Sequence, residues 1–204
     1  LIESYDNHLY CNNLVENHNG VWFNWAERNH FHHNSFVRNK DYQAYTQNWK
    51  NVWDDGYPSG GNYWSRNPSG VDFDGGQYQN ESGSDGICDT PYVIDGNNTD
   101  HYPLMGDFSD FNAASEDDVQ TVCNSSISGF QFNGTAIIFN VAGQNGTTGF
   151  CRICIPTSLM NETYRVFVNV TEISFNVLPC SNSTHSYLYF KYTHPTQEVI
   201  ITPE

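Results

Sequence analysis

Basic residues are scarce in this chain, and this scarcity excludes a large class of partners. Lys and Arg total 8 against 23 Asp and Glu, which gives a net charge of −15. A surface of that sign repels nucleic acid and anionic membranes, so we expect neither as a partner. No apolar run approaches the length of a membrane span. Leu1 is neither an initiator Met nor the start of a signal peptide, so we expect a longer or processed product whose missing length is unknown.

Catalytic patterns are also weak. No nucleophile motif such as Gly-x-Ser-x-Gly occurs, and the adjacent Asp54 and Asp55 point apart in an extended backbone. The expectation is a protein that is not an enzyme. A polysaccharide-active enzyme remains the minority alternative, since parallel β-helix enzymes place acids and bases along a groove of several coils.

Acidic residues are concentrated in one part of the chain. Between Asp54 and Asp118 there are 14 acids and a single base, Arg66. Such a density of like charge opposes compaction unless something neutralises it. This favours bound cations.

The N-terminal stretch contains a repeat with a fixed offset of 22 residues. Asn7, Leu9, Asn12, Leu14 and Asn17 return as Asn29, Phe31, Asn34, Phe36 and Asn39. A period in the low twenties is typical of a solenoid with short strands, in which one apolar residue per strand points inward and Asn occupies the corners. The pattern predicts a right-handed parallel β-helix. Only two full coils are visible, so its open face must be covered by earlier coils, by the rest of the chain or by a neighbour.

These residues resemble the right-handed β-helix repeats of the NosD-like group, which is found in many archaeal surface proteins. The resemblance extends to the segments 60–65, 84–92 and 100–105, which look like the cap that closes such helices. It implies a secreted or cell-surface protein. The aromatic residues around this cap, Trp49, Trp53, Tyr57, Tyr63 and Trp64, are expected to plug the last coil, with a sugar-binding platform as the alternative.

A second domain is predicted after an acidic linker, Asp107 to Asp118. The expected domains are therefore 1–118, with coils and cap, and 119–204. Seven short alternating runs follow: 127–132, 135–141, 150–155, 164–170, 173–178, 186–192 and 198–202. They predict an antiparallel β-sandwich of immunoglobulin-like type, and the fold class is all-β. Residues 146–156 and 184–190 resemble a domain often found at the C-terminal side of archaeal secreted β-helix proteins.

The strongest candidate for a ligand site is an acidic, Gly-rich loop. Asp72 and Asp74 alternate before two glycines, and Asp85 and Asp89 follow in a second Asp-Gly segment. A tight turn of this kind aims several carboxylates at one hard cation, which predicts calcium held by these four residues. The arrangement is similar to the calcium loops of NosD-like caps. An Asp/Gly-rich turn without metal is the alternative.

A second possible metal cluster is His30, His32 and His33, because imidazoles suit transition metals. His30 and His32 could share one face of a strand around an inward Phe31. No Cys or carboxylate stands at a spacing that suggests a partner, so solvent-exposed histidines without metal are the expectation.

Cysteines and glycosylation motifs agree with an extracellular location. Six cysteines suit an oxidising compartment, and Cys154 with Cys180 is the most plausible disulfide. Eight Asn-x-Ser/Thr motifs begin at Asn80, Asn97, Asn124, Asn133, Asn145, Asn161, Asn169 and Asn182. They predict a glycoprotein.

The function expected from these features is structural. We expect an extracellular adhesion or structural protein, stabilised by calcium and glycans, that self-associates into a filament or coat or binds other cell-surface proteins. Leu1 to Tyr5 or Val199 to Thr202 could supply a strand for such pairing. The alternative is a carbohydrate-binding module or part of a polysaccharide-active enzyme.

Overall fold

A computed structural model describes residues 1–67, 70–114, 117–160, 163–195 and 197–204 of the chain. The described residues form an all-β protein without helices. The chain divides into two compact units, Leu1–Phe108 and Ser109–Glu204. Among the described residues there is accordingly no apolar helix long enough to cross a bilayer.

The first unit is built from short strands. They are β1 (His8–Tyr10), β2 (Asn13–Val15), β3 (Asn19–Trp22), β4 (His30–His32), β5 (Ser35–Val37), β6 (Tyr42–Tyr45), β7 (Tyr63–Trp64), β8 (Asp74–Gly75), β9 (Glu81–Ser82), β10 (Tyr92–Asp95) and β11 (Asn98–Asp100). β8 pairs with β9 and β10 with β11, both antiparallel. The other paired strands are parallel.

Parallel pairing follows the sequence repeat. Leu9 on β1 pairs with Phe31 on β4, and Leu14 on β2 pairs with Phe36 on β5, each 22 residues apart. β3 and β6 pair with an offset of 23, as Val21 does with Ala44. Repeat strands are therefore stacked in register.

The stacking continues beyond the two repeats visible in the sequence. His30 bridges Val52, 22 residues later, and Phe36 pairs with Trp64, 28 residues later. Tyr63 in turn bridges Leu104 in parallel. The first half of this third repeat keeps the offset of 22, as Asn51 does after Asn29. Six extra residues then raise the offset to 28, so a fixed offset does not reveal the second half.

The core of the first unit is a row of inward aromatic residues. Phe23, Phe31, Phe36, Trp53 and Trp64 are all buried in it. Phe36 stacks on Trp64 with ring centroids 4.3 Å apart, and Phe31 stacks on Trp53 at 4.7 Å. The prediction that Trp53 and Trp64 form a plug over the last coil is wrong, because both rings occupy inward positions of the next repeat.

A ladder of asparagine side chains runs beside this aromatic row. Asn7 donates through its backbone N–H and Nδ2 to Oδ1 of Asn29, which donates in the same way to Asn51. The backbone N–H of Asn51 then donates to Oδ1 of Asn98. Each side chain also donates to a backbone carbonyl, as Asn29 does to Ser4. The ladder satisfies buried polar groups at the corners of the repeat.

A second ladder ends on a carboxylate. It runs from Asn12 through Asn34 to Asn62, whose backbone N–H donates to Oδ2 of Asp100 at 2.8 Å. Asp100 is fully buried and also accepts from the indole of Trp64 and from the backbone of Tyr102. Both oxygens of Asp100 accept hydrogen bonds, so this side chain can end the ladder.

The second unit consists of two five-stranded sheets. Its strands are β12 (Asp107–Ala114), β13 (Asp117–Cys123), β14 (Ser126–Phe132), β15 (Ile137–Ala142), β16 (Thr148–Pro156), β17 (Tyr164–Val168), β18 (Thr171–Ile173), β19 (Asn176–Val177), β20 (His185–Thr193) and β21 (Gln197–Pro203). One sheet has the order β12-β13-β16-β20-β19 and the other β14-β15-β21-β17-β18. Every pair with a described register is antiparallel.

Both sheets contribute to one core. Ile153 on β16 and Leu188 on β20 come from one sheet, whereas Phe139 on β15 and Ile201 on β21 come from the other. All four side chains are fully buried. The alternation of apolar and polar residues in the predicted runs places these side chains on the inward faces.

Four expectations about this half of the chain differ from the structure. The segment Asp107 to Asp118 is not a linker, because residues 107–114 form β12 and β13 begins at Asp117. The first compact unit ends at Phe108, whereas the expected domain boundary lies at 118. The run 173–178 is divided between β18 and β19, which belong to different sheets. Val199 to Thr202 lies in β21, which is paired on both sides and offers no edge.

Candidate functional site

The two acidic segments predicted to bind calcium lie together and hold each other in place. Asp72 accepts hydrogen bonds from the backbone N–H of Asp85 at 2.8 Å and of Gly86 at 3.0 Å. Asp89 accepts in return from the backbone of Phe73 and Asp74. The sequence pattern therefore locates a real structural unit.

Asp85 is buried and accepts from backbone groups at Gly76 and Ile87. Burial raises the pKa of Asp72 to about 6, and the nearby charges of Asp85 and Asp89 add to this, although its two hydrogen bonds oppose it. A cation beside these oxygens would relieve that cost. An all-oxygen set also matches what Ca²⁺ requires.

A different part of the first unit brings three possible metal-ligand atoms within 4.8 Å of one another. Among the described residues, the group with this geometry is His30, His32 and Asp55. The expectation that no carboxylate accompanies these histidines is therefore wrong, because Asp55 lies in the loop that follows Val52, the neighbour of His30. His33 is different: its ring stacks on Phe108 with centroids 3.7 Å apart, and its Nε2 lies 3.1 Å from the carbonyl of Ser59. Asp54 and Asp55 do face different partners, since Asp54 contacts His101.

The N-terminal end of the stacked strands is open in the described structure. β1, β2 and β3 are each paired on one side only. Leu9 and Leu14 are partly buried, whereas Phe31 and Phe36, which follow them by one repeat, are completely buried. Among the described residues this edge leaves backbone groups that a further strand, from this chain or from another, would pair with.

Aromatic side chains form a second surface feature. Trp22 packs against Tyr45 with ring centroids 4.8 Å apart, and Tyr42 lies 4.9 Å from Tyr45. Trp22 and Tyr42 are each 48% exposed. Tyr42 and Tyr45 line a cleft of about 220 Å³ that also contains polar side chains such as Asn48 and Asp95. Trp64 is only 2% exposed, so it is excluded as the predicted sugar platform.

Four of the six cysteines lie in the second unit, where they form two groups. Cys154 is a buried thiol whose pKa burial raises to about 11, and Cys180 is near enough for its charge to raise that pKa further. The two cysteines predicted to form a disulfide, Cys154 and Cys180, therefore lie near each other. Cys123 and Cys151 are directly opposed on β13 and β16, a proximity that the sequence spacing did not reveal.

Seven of the eight predicted glycosylation sites lie among the described residues. Asn161 lies outside the described residues. The other asparagines, Asn80, Asn97, Asn124, Asn133, Asn145, Asn169 and Asn182, are all exposed. Exposure of the asparagine is a condition for attachment of a glycan, and these seven residues meet it.

Comparison of the chain with protein-family models, with curated proteins and with solved structures finds no match.

Proposed function

We propose that this protein is a non-enzymatic, extracellular structural or adhesion protein of the NosD-like β-helix type, which assembles through the open end of its first unit. In this proposal Leu1–Phe108 is a short parallel β-helix with a calcium-stabilised cap, and the second unit is an immunoglobulin-like sandwich bearing glycans. Partners are other copies of the chain or other surface proteins.

The observation that carries the proposal is the difference between the two ends of the asparagine ladders. At the far end, Asn98 and Asp100 on β11 complete the ladders and are fully buried. At the near end, Asn7 and Asn12 donate to the next repeat, and in the described structure no donor is bonded to their own side-chain oxygens. One end is capped and the other can accept a further strand.

Addition of a strand to that end would be head-to-tail. Such heterologous contacts produce open filaments when the rotation between copies does not close a ring. The second unit supplies edge strands, β12 and β19 in one sheet and β14 and β18 in the other. The exposed Ile2 and Tyr5 lie beside the open edge and would be covered by such a contact.

Assembly can be tested with a charge placed on the inward face of the open strand. Leu9→Lys would introduce a charge where an incoming coil must pack, while the Lys chain can still reach solvent in the monomer. Val15→Lys on β2 is the matched control, because Val15 already faces solvent. We expect the native product and the control to form particles by electron microscopy and sedimentation, and Leu9→Lys to remain monomeric. A native product that stays monomeric at high concentration with calcium would contradict the proposal.

The aromatic cleft supports a second candidate, binding of carbohydrate. Exposed aromatic rings beside polar groups suit a sugar, because a ring stacks on the apolar face of a pyranose while amides and carboxylates bind hydroxyls. Glycan-array binding should be lost in Trp22→Ala and retained in Tyr78→Ala, which removes a more exposed ring elsewhere. Equal binding by both variants would count against this candidate.

A further inference from the structure

Two histidines of β4 lie on its outward face while the residue between them anchors the strand. Phe31 is completely buried, so His30 and His32, on either side of it, point away from the core. His30 pairs with His8 on one side and Val52 on the other, so its backbone is held between two strands. The imidazole rings lie 4.9 Å apart. A position fixed in this way favours a preorganised site.

The hydrogen bond of His30 defines which of its nitrogens can bind a ligand. Its Nε2 lies 2.7 Å from the backbone carbonyl of Asp54. A carbonyl only accepts, so Nε2 carries the proton and Nδ1 has the free lone pair. Metal-binding histidines commonly donate their second N–H to a backbone carbonyl in this manner.

His32 has a nitrogen without a protein partner. Its Nδ1 is buried and makes no hydrogen bond in the structure. A buried, unsatisfied polar atom costs free energy, and such an atom needs an explanation.

Asp55 reaches this pair from a closed loop. Its backbone N–H donates to Gly60 at 2.9 Å, and its Oδ2 accepts from the hydroxyl of Ser59 at 2.9 Å. One carboxylate oxygen is thus oriented by Ser59, as carboxylate ligands of metals usually are. Ligand atoms of Asp55, His30 and His32 all lie within 4.8 Å of one another.

We propose that His30, His32 and Asp55 bind a divalent transition-metal ion, with Zn²⁺ as the representative species. Two imidazoles and one carboxylate suit Zn²⁺, Co²⁺, Ni²⁺ or Cu²⁺, whereas Ca²⁺ prefers oxygen ligands throughout. Three protein ligands leave a coordination position open to water or to a group from outside. This site is separate from the acidic loop, and the inference does not depend on the proposed function.

Co²⁺ titration of the untagged protein tests the proposal. Bound Co²⁺ with histidine ligands gives visible d–d absorption, and we expect it to saturate at one ion per chain. Zn²⁺ should abolish the absorption by displacing Co²⁺, and Ca²⁺ should leave it unchanged. His32→Gln and Asp55→Asn should each weaken binding by about tenfold or more, since even changes beyond the ligands cost 10- to 100-fold.

His18→Gln is the matched control. His18 is exposed and contacts a single carboxylate, Asp41, so its loss should not alter the titration. Should His32→Gln fail to fold, Asp55→Asn decides, because Asp55 is exposed and Asn can still accept from Ser59. Absence of saturable Co²⁺ binding, or binding that Asp55→Asn leaves unchanged, would overturn the inference.

Discussion

Removal of the amide of Asn29 should destabilise the first unit far more than removal of the amide of Asn7, although both belong to the same ladder. The Oδ1 of Asn29 accepts from the backbone N–H of Asn7 at 3.1 Å and from its Nδ2 at 2.8 Å. Its Nδ2 lies within 3.3 Å of three acceptors, the carbonyls of Ser4 and Glu27 and the Oδ1 of Asn51. Asn29 is completely buried, so water cannot replace these bonds.

The expected cost follows from the number of bonds. An amide with two protons makes about two good donor bonds, so Asn29→Ala loses roughly four hydrogen bonds at about 1 kcal/mol each. The Oδ1 of Asn51 keeps one donor, the backbone N–H of Asn29. We therefore expect a loss of about 3–4 kcal/mol. Asn7→Ala loses two bonds at an exposed position, where water substitutes, and should cost about 1 kcal/mol or less.

Tryptophan fluorescence during urea unfolding can measure this difference. All five Trp residues lie between Trp22 and Trp64, so their emission reports the first unit alone. The midpoint should shift strongly for Asn29→Ala and little for Asn7→Ala, with unchanged slope. Equal losses for the two variants would refute the view that the buried ladder holds the repeats together.

Three further predictions concern ionisation, calcium and cysteine. Burial raises the pKa of Asp100 to about 7, while the unfolded chain ionises near its usual value of about 4. Between these two pH values the folded state therefore binds more protons than the unfolded chain, so the free energy of unfolding should fall as pH rises from 4 to 7. Asp100→Asn should flatten this dependence on pH. An unchanged slope in the variant would contradict the assignment to Asp100. Calcium at 100 times its Kd should stabilise the protein by about 2.7 kcal/mol. Asp74→Asn should reduce this stabilisation while leaving intact the hydrogen bonds that Asp72 accepts. A melting temperature that does not change on addition of chelator would exclude the calcium site. Peptide mapping without reduction should recover Cys154 linked to Cys180 from secreted material, and a Cys154 peptide that alkylates fully there would show that no bond forms.

The sequence predicted local features well wherever a short-range pattern controls them. The 22-residue repeat of Asn and apolar residues correctly implied parallel stacking with Leu9 on Phe31, because a fixed offset places equivalent residues in register. Alternating apolar residues likewise indicated most strands of the second unit. The acidic segments around Asp72 and Asp85 were correctly grouped, because Asp-Gly turns bond neighbouring backbone groups.

Tertiary structure decided what depends on insertions and on distant residues. Trp64 entered the core because a loop of six extra residues interrupts the period without ending it, and a search at constant offset cannot follow such a loop. Trp53 precedes that loop and keeps the 22-residue offset from Phe31, on which it stacks. That same loop brings Asp55 to His30 and His32. The acidic segment 107–114 became a strand because a neighbouring strand satisfies its backbone, although its composition suggests a linker. The sequence by itself determined the repeat and its corners; only the fold determined where the repeat ends and which side chains meet on its surface.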